Sequence, residues 1–168
     1  MNAQAWIQQL DLTPHPEGGH YRELYHSGIF MEDPAVQAQY GGLRETATSI
    51  YFLLETTDVS RFHRLKSDEI WYFHAGSPLT VHVISPDGAY STHKVGLDVT
   101  QGQSPQVLIP RGHIFGATVD DVEDGAYAVV SCMVTPGFDF DDFELFDRET
   151  LMSKYPEHHQ IIQRLTKP

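Results

Sequence analysis

The stretch Phe62-His63-Arg64-Leu65-Lys66-Ser67-Asp68-Glu69-Ile70-Trp71-Tyr72-Phe73-His74-Ala75-Gly76 decides how this chain folds. A histidine is followed six residues later by a carboxylate, and a glycine comes seven beyond that, in a strand-rich context. Strand alternation gives Glu69, Trp71 and Phe73 one face and Ile70, Tyr72 and His74 the other. If the Glu69 face points inward, its carboxylate lies between large aromatics and is partly desolvated. That raises its pKa unless a cation or metal compensates, and a carboxyl tuned in this way serves as acid or base. His74 faces away and belongs to packing or an interface.

Outward from this segment the chain alternates short strands with turn signals. Ser49-Ile50-Tyr51-Phe52-Leu53-Leu54 is a nearly continuous apolar run of strand length, as expected for a strand buried on both faces. Further strands are expected over His20 to Ser27, Glu69 to His74, Leu79 to Ile84, Ser91 to Val95, Gln106 to Ile109, His113 to Val119 and Ala126 to Val134. Ser85-Pro86-Asp87-Gly88 marks a hairpin, and regular short strands punctuated in this way indicate a sandwich or barrel. Trp6, Ile7 and Leu10 predict a short amphipathic helix, ended by the turn-rich Thr13 to Gly19. Gly28 to Gly42, with Pro34, reads as a surface excursion rather than a core element. Asp147 before Arg148 to Lys154, and Pro156 before Glu157 to Leu165, predict two helices packed outside the barrel.

Length and charge narrow the function classes. The 168 residues suit one domain with a single core, residues 1–168, without disulfides. Eleven Lys and Arg against 23 Asp and Glu give a net charge of -12, which repels a phosphate backbone and finds no attraction on an anionic membrane. Nucleic acid and membrane are therefore not expected partners. Small anions stay open as ligands, since Arg22, Arg44, Arg61, Arg64, Lys66 and Arg111 can cluster locally. Cys132 is the only cysteine, in an apolar run where a thiol packs more often than it reacts. Met1 to Trp6 has neither a basic nor an apolar leader region, so a cytoplasmic protein is the expectation. Most of the ten histidines fall on surface positions and do not by themselves indicate a metal.

The spacing of His63, Glu69 and Gly76 resembles the first cupin motif. That motif reads H-x-H, three or four residues, E, six residues, G, and supplies three metal ligands inside a small β-barrel. Leu65 occupies the second histidine position. Pro110-Arg111-Gly112 resembles the turn of the second cupin motif, but its histidine position falls on Phe115 and its asparagine position on Val119. His113, two residues before Phe115, is the available substitute ligand, although its place beside the turn favours an exposed residue. The motif places His63 in the barrel interior as the partner of Glu69, either for chemistry or in a hydrogen bond that only satisfies both groups. Two protein ligands are too few for a tight divalent site. No cofactor is therefore favoured, and a metal on His63, Glu69 and His113 is the alternative.

Three further segments are more specific: Leu12-Thr13-Pro14-His15-Pro16-Glu17-Gly18-Gly19-His20-Tyr21-Arg22-Glu23, Thr48 to Leu54, and Thr135-Pro136-Gly137-Phe138-Asp139-Phe140-Asp141-Asp142-Phe143-Glu144-Leu145. With Lys66 to Trp71 they resemble a small cupin family of bacteria and fungi, usually labelled a domain of unknown function. The resemblance implies an all-β cupin double-stranded β-helix, a jelly-roll barrel, here with short N-terminal and C-terminal helices. It also implies a homodimer built through N-terminal strands and a pocket at one barrel mouth. No settled activity comes with it. Read without the family, Glu17-Gly18-Gly19 is a loop whose backbone can approach a ligand, with Tyr21 and Arg22 after it, or a plain turn into an edge strand. Phe138 to Phe146 either walls the pocket or seals the barrel, and its Phe/Asp alternation favours sealing by a strand with one buried face.

The leading functional expectation is metal-free acid–base chemistry on a small molecule, in the isomerase or epimerase mode of the nucleotide-sugar epimerases that the general fold resembles. His63 would be the base, Glu69 would orient it, and Tyr51 or Tyr21 would be the acid. Glu17, Tyr21, Arg64, Trp71, Phe73, Arg111 and Phe115 are the candidate ligand contacts, with Arg64 or Arg111 holding an enolate or phosphate. The alternatives are a non-enzymatic binding protein with an aromatic pocket and a metal-dependent enzyme with a degenerate site.

Overall fold

The alternating pattern folds into two antiparallel sheets closed over one another as a jelly-roll, in a computed structural model that describes all 168 residues. In chain order the strands are β1 (Thr13–Pro14), β2 (His20–His26), β3 (Thr48–Glu55), β4 (Ser60–Arg64), β5 (Asp68–Gly76), β6 (Leu79–Ile84), β7 (Tyr90–Val95), β8 (Gln103–Ser104), β9 (Gln106–Ile109), β10 (Ile114–Val119), β11 (Tyr127–Thr135) and β12 (Glu144–Leu145). One sheet runs β1-β2-β3-β11-β5-β9 and the other β12-β4-β10-β6-β7-β8. Every pairing is antiparallel except β7 with β8.

Period-2 alternation explains the layering. Phe52 and Leu54 of β3, Trp71 of β5, Val81 and Val83 of β6, Phe115 of β10 and Val130 and Cys132 of β11 fill the space between the sheets. The opposite faces are covered separately. Leu53 and Val129 turn outward beneath helix α1 (Ala3–Gln9), while Phe62, Ile84 and Ile114 lie beneath helices α3 (Arg148–Lys154) and α4 (His159–Arg164). Strand β3 is thus buried on both faces, as its apolar run requires. Asn2 caps α1 and Asp147 caps α3 through side-chain oxygens, satisfying helix donors that would otherwise lack partners. No helix is long and apolar enough to cross a membrane.

Three elements differ from the sequence expectation. Gly28 to Gly42 contains a helix, α2 (Pro34–Tyr40), started by the Asp33 cap and Pro34 at its first turn. Its Tyr40 is buried and donates to the Lys66 carbonyl at 3.0 Å. Strand β4, which carries His63, has too few apolar residues to show a period. Phe138 to Phe146 is not one strand: a 3-10 turn at Phe140–Asp142 precedes the two-residue β12.

Candidate functional site

The loop between β1 and β2 lies against β3 and β4 and delivers two side chains to the barrel mouth. Its glycines are required there. Gly18 has φ +112° and a Cβ would fall 2.0 Å from the Val59 carbonyl oxygen; Gly19 has φ +73° and a Cβ would fall 2.7 Å from that of Leu53. The loop is held by Gly19 N–H donating to Asp58 Oδ2 at 2.8 Å and Arg61 N–H donating to the Glu17 carbonyl at 2.7 Å. Glu17 is thereby fixed inside the barrel, where Ser60 Oγ donates to its Oε1 at 3.0 Å and His63 Nε2 lies 2.9 Å from its Oε2.

Hydrogen bonding, burial and charge together decide the protonation of this pair. His63 Nδ1 is 2.7 Å from the Arg61 carbonyl, which can only accept, so Nδ1 carries a proton. Contact between Nε2 and a carboxylate oxygen needs a second proton. Burial opposes a charge on His63, but the Glu17 carboxylate and its hydrogen bond outweigh it and raise the imidazole pKa. Burial likewise pushes Glu17 up, and the charge and hydrogen bond of His63 bring it below the ordinary carboxylate value. The pair is therefore imidazolium and carboxylate. The His63 ring rests on Phe115, with centroids 4.2 Å apart, and near Phe143 at 5.4 Å.

Glu69, on β5, is held differently. Burial, opposed by the His63 charge and reinforced by that of Glu17, pushes its pKa up to about 7. Cys132 of the neighbouring β11 borders the same pocket, and burial and the two carboxylates hold its thiol far above its usual value. Glu17, His63, Glu69 and Cys132 all border one pocket, walled by residues that include His15, Tyr21, Phe52, Phe138 and Phe143. Glu23 and His26 of β2 stand at its rim, 3.0 Å apart.

The structure therefore brings together His63, Glu69, Glu17 and Tyr21 of the expected residues, and it corrects the others. His63 pairs with Glu17 rather than Glu69. Tyr51 projects from the outer face of β3 and packs with Leu53 on the N-terminal helix side, away from the pocket. Arg64 is bound to Glu144 at 2.6 Å, with its guanidinium over Phe146, and Arg111 is exposed beside Asp68; neither lines the pocket. Trp71, Phe73 and Phe115 pack in the barrel core below the pocket instead of lining it. His113 precedes β10, with Nδ1 3.3 Å from the Arg111 carbonyl, and does not border the pocket. His15, Ser60 and Cys132 carry no motif spacing that would mark them as site residues in the sequence. Phe138 and Phe143 wall the pocket, contrary to the sealing role their alternation favours.

The donor set does not fit a divalent ion. His63 has both nitrogens engaged, and Leu65 and Phe115 fill two of the motif's ligand positions. No group of three or more His, Cys, Asp or Glu side chains is arranged to hold a metal.

Two closed sheets around an apolar interior, with a polar cluster at one mouth, define a jelly-roll cupin. The chain belongs to the family described as Cupin superfamily (DUF985), whose pattern matches residues 4–146. An uncharacterized protein of Saccharomyces cerevisiae is 31% identical over 149 residues, which are 83% of this chain and 72% of that protein. Among solved structures, a protein of Shewanella oneidensis is 46% identical with a TM-score of 0.89, covering 100% of this chain and 99% of its own. A hypothetical protein of Leishmania major is 38% identical with a TM-score of 0.91, and each chain is fully covered. Oxalate decarboxylase of Bacillus subtilis aligns at 14% identity and a TM-score of 0.54, over 93% of this chain and 38% of that one; the likeness is one of fold alone.

Proposed function

We propose that the protein is a small-molecule cupin that carries out proton transfer in its barrel-mouth pocket, with Glu69 as the group that gives and takes the proton. The observation that carries this reading is the presence in one pocket of two carboxyls driven apart: Glu17 held ionised by His63, and Glu69 pushed up to about 7. Such divergence is how paired carboxyls divide acid and base roles. A pKa near neutrality lets Glu69 serve in either direction at neutral pH. His63 has no free nitrogen for a substrate proton; its part is to fix and charge Glu17. The isomerase or epimerase mode stays the simplest outcome of reversible proton transfer at carbon. A nucleotide sugar loses its support, because no lysine or arginine lines the pocket.

The test is a thermal-shift screen of small metabolites, followed by incubation of each stabilising compound in D2O and proton NMR. Deuterium should enter a carbon position with the wild-type protein and fail to enter with Glu69→Gln, which should still bind. Recovery of every ligand without deuterium would replace catalysis with plain binding. That second reading is favoured by the eight apolar residues among the fifteen that line the pocket. A homodimer belongs to the same proposal: Leu24, Tyr25, Ile29 and Phe30, on and just after β2, are all exposed, and β2 also supplies Tyr21, Glu23 and His26 to the pocket.

A further inference from the structure

The loop that delivers Glu17 also fixes a histidine with one idle nitrogen. Glu17 N–H donates to His15 Nδ1 at 3.1 Å, so Nδ1 carries no proton. Burial, opposed by the Glu17 charge and assisted by that of His63, holds His15 below the usual histidine pKa. The ring is neutral and its single proton sits on Nε2. The His15 side chain is only 6% exposed, yet Nε2 has no hydrogen-bond partner in the protein. The ring stands edge-on to Tyr21 at 4.5 Å and close to Phe52 and Phe143 at 6.2 and 5.9 Å, and all four side chains border the pocket. Nε2–H is not among the sealed polar atoms of the protein, so it stays accessible in a residue that lines the pocket and is free to donate to an incoming oxygen.

We infer that His15 Nε2–H is the recognition donor of the barrel-mouth pocket, and that the ligand it selects is a small uncharged molecule with an apolar body and a carbonyl-type oxygen. The assignment rests on the pocket being the ligand site, and not on proton transfer taking place there. An anion would enter a pocket without lysine or arginine, beside the ionised Glu17, where the charge of His63 is already matched. An ammonium group would meet a nitrogen that offers a proton and no lone pair. An apolar body fits against Ile50, Phe52, Leu65, Phe138 and Phe143.

Acetophenone, ethylbenzene and benzoate share one ring and differ in the feature at issue, and ligand-observed NMR titration compares them. Acetophenone should bind about five-fold more tightly than ethylbenzene, the size of one neutral hydrogen bond, and benzoate more weakly than either. His15→Asn keeps a side-chain acceptor for the Glu17 N–H, and His15→Phe keeps a ring. In each variant acetophenone and ethylbenzene should bind with equal affinity, with melting temperature checking that each variant folds. Benzoate binding as tightly as acetophenone, none of the three binding the wild type, or either variant keeping the ketone preference would overturn the inference. Deuterium entering the acetophenone methyl group reads proton transfer separately. Its absence alongside intact discrimination would remove the acid–base reading and leave the role of His15 standing.

Discussion

Glu17 and His63 hold opposite charges 2.9 Å apart with almost no solvent to share them, so removing either leaves the other charged and buried. Glu17→Gln should destabilise the fold by about 3 to 5 kcal/mol, the usual result of halving a buried pair, while Glu17→Gln with His63→Gln should recover part of that loss. Urea denaturation of the single and double variants measures both, and a double variant no more stable than the worse single one would contradict the pairing. The pair also shapes the pH profile. The Glu17 pKa is lowered by folding, so its contribution is present above the ordinary carboxylate value and lost as pH falls through the folded one. The His63 pKa is raised, so its contribution is full below the ordinary histidine value and lost as pH rises through the folded one. Glu69 acts in the opposite sense to Glu17, because the folded state keeps a proton that the unfolded state releases. Between an ordinary 4.5 and about 7 stability should drop by roughly 3 kcal/mol on account of Glu69. Melting curves across that window should slope downward for the wild type and flatten for Glu69→Gln; equal slopes would show that Glu69 does not hold its proton. The raised pKa of Glu69 was legible in its aromatic neighbours. The partner of His63 was not, because Glu17 arrives on a loop far away in sequence and only the seating of Gly18 and Gly19 aims it inward.

At the scale of elements, one buried contact holds the pocket wall in place. Arg44, just after α2, donates through Nε and Nη2 to the two carboxylate oxygens of Asp142, each at 2.9 Å, with both side chains almost fully buried. Asp142 lies in the 3-10 turn between Phe138 and Phe143, so the helix-containing excursion and the aromatic wall are tied together. Arg44→Ala should cost about 3 to 5 kcal/mol by leaving Asp142 without its partner, and should weaken ligand binding more than a surface change of equal charge does. Thermal shift with and without ligand checks this, and a variant that binds normally would uncouple the two segments. This arrangement shows where pattern reading fails. Alternating Phe and Asp has the period of a strand, but Asp139 accepts from Asp141 N–H and Asp142 turns in to meet Arg44, which converts the segment to a turn. The Asp33-Pro34 start of α2 was readable by the same rules that located α3, but a helix of seven residues gives little periodicity to confirm it. The long strands were legible because sustained alternation of side chains between two faces is a property of extended backbone and not of a helix. Strand β4, with Phe62 flanked by Arg61 and His63, follows no such pattern, and it carries the residue on which the site is centred.

For the whole molecule, the net charge of -12 surrounds a pocket whose own charges are matched, so attraction of an anionic ligand is opposed at long range as well as at contact. The exposed apolar residues of β2 and the segment after it are the counterpart of that charged surface. The homodimer reading places a second copy there, and Tyr25→Ser with Phe30→Ser should turn a dimer into a monomer by light scattering at micromolar concentration; a monomeric wild type would end that reading. The division of the core into an interior between two sheets and two outer clusters under the terminal helices also separates the two tryptophans of the chain. Trp6 sits on the outer helix, its indole N–H donating to Tyr127 Oη at 3.2 Å. Trp71 is sealed in the barrel with its indole nitrogen unpaired, 6.0 Å from the Phe52 ring that walls the pocket. The protein thus contains a built-in optical reporter: in a Trp6→Phe variant all indole fluorescence comes from one fluorophore beneath the cavity floor, and filling the cavity registers as a change in emission without any added label.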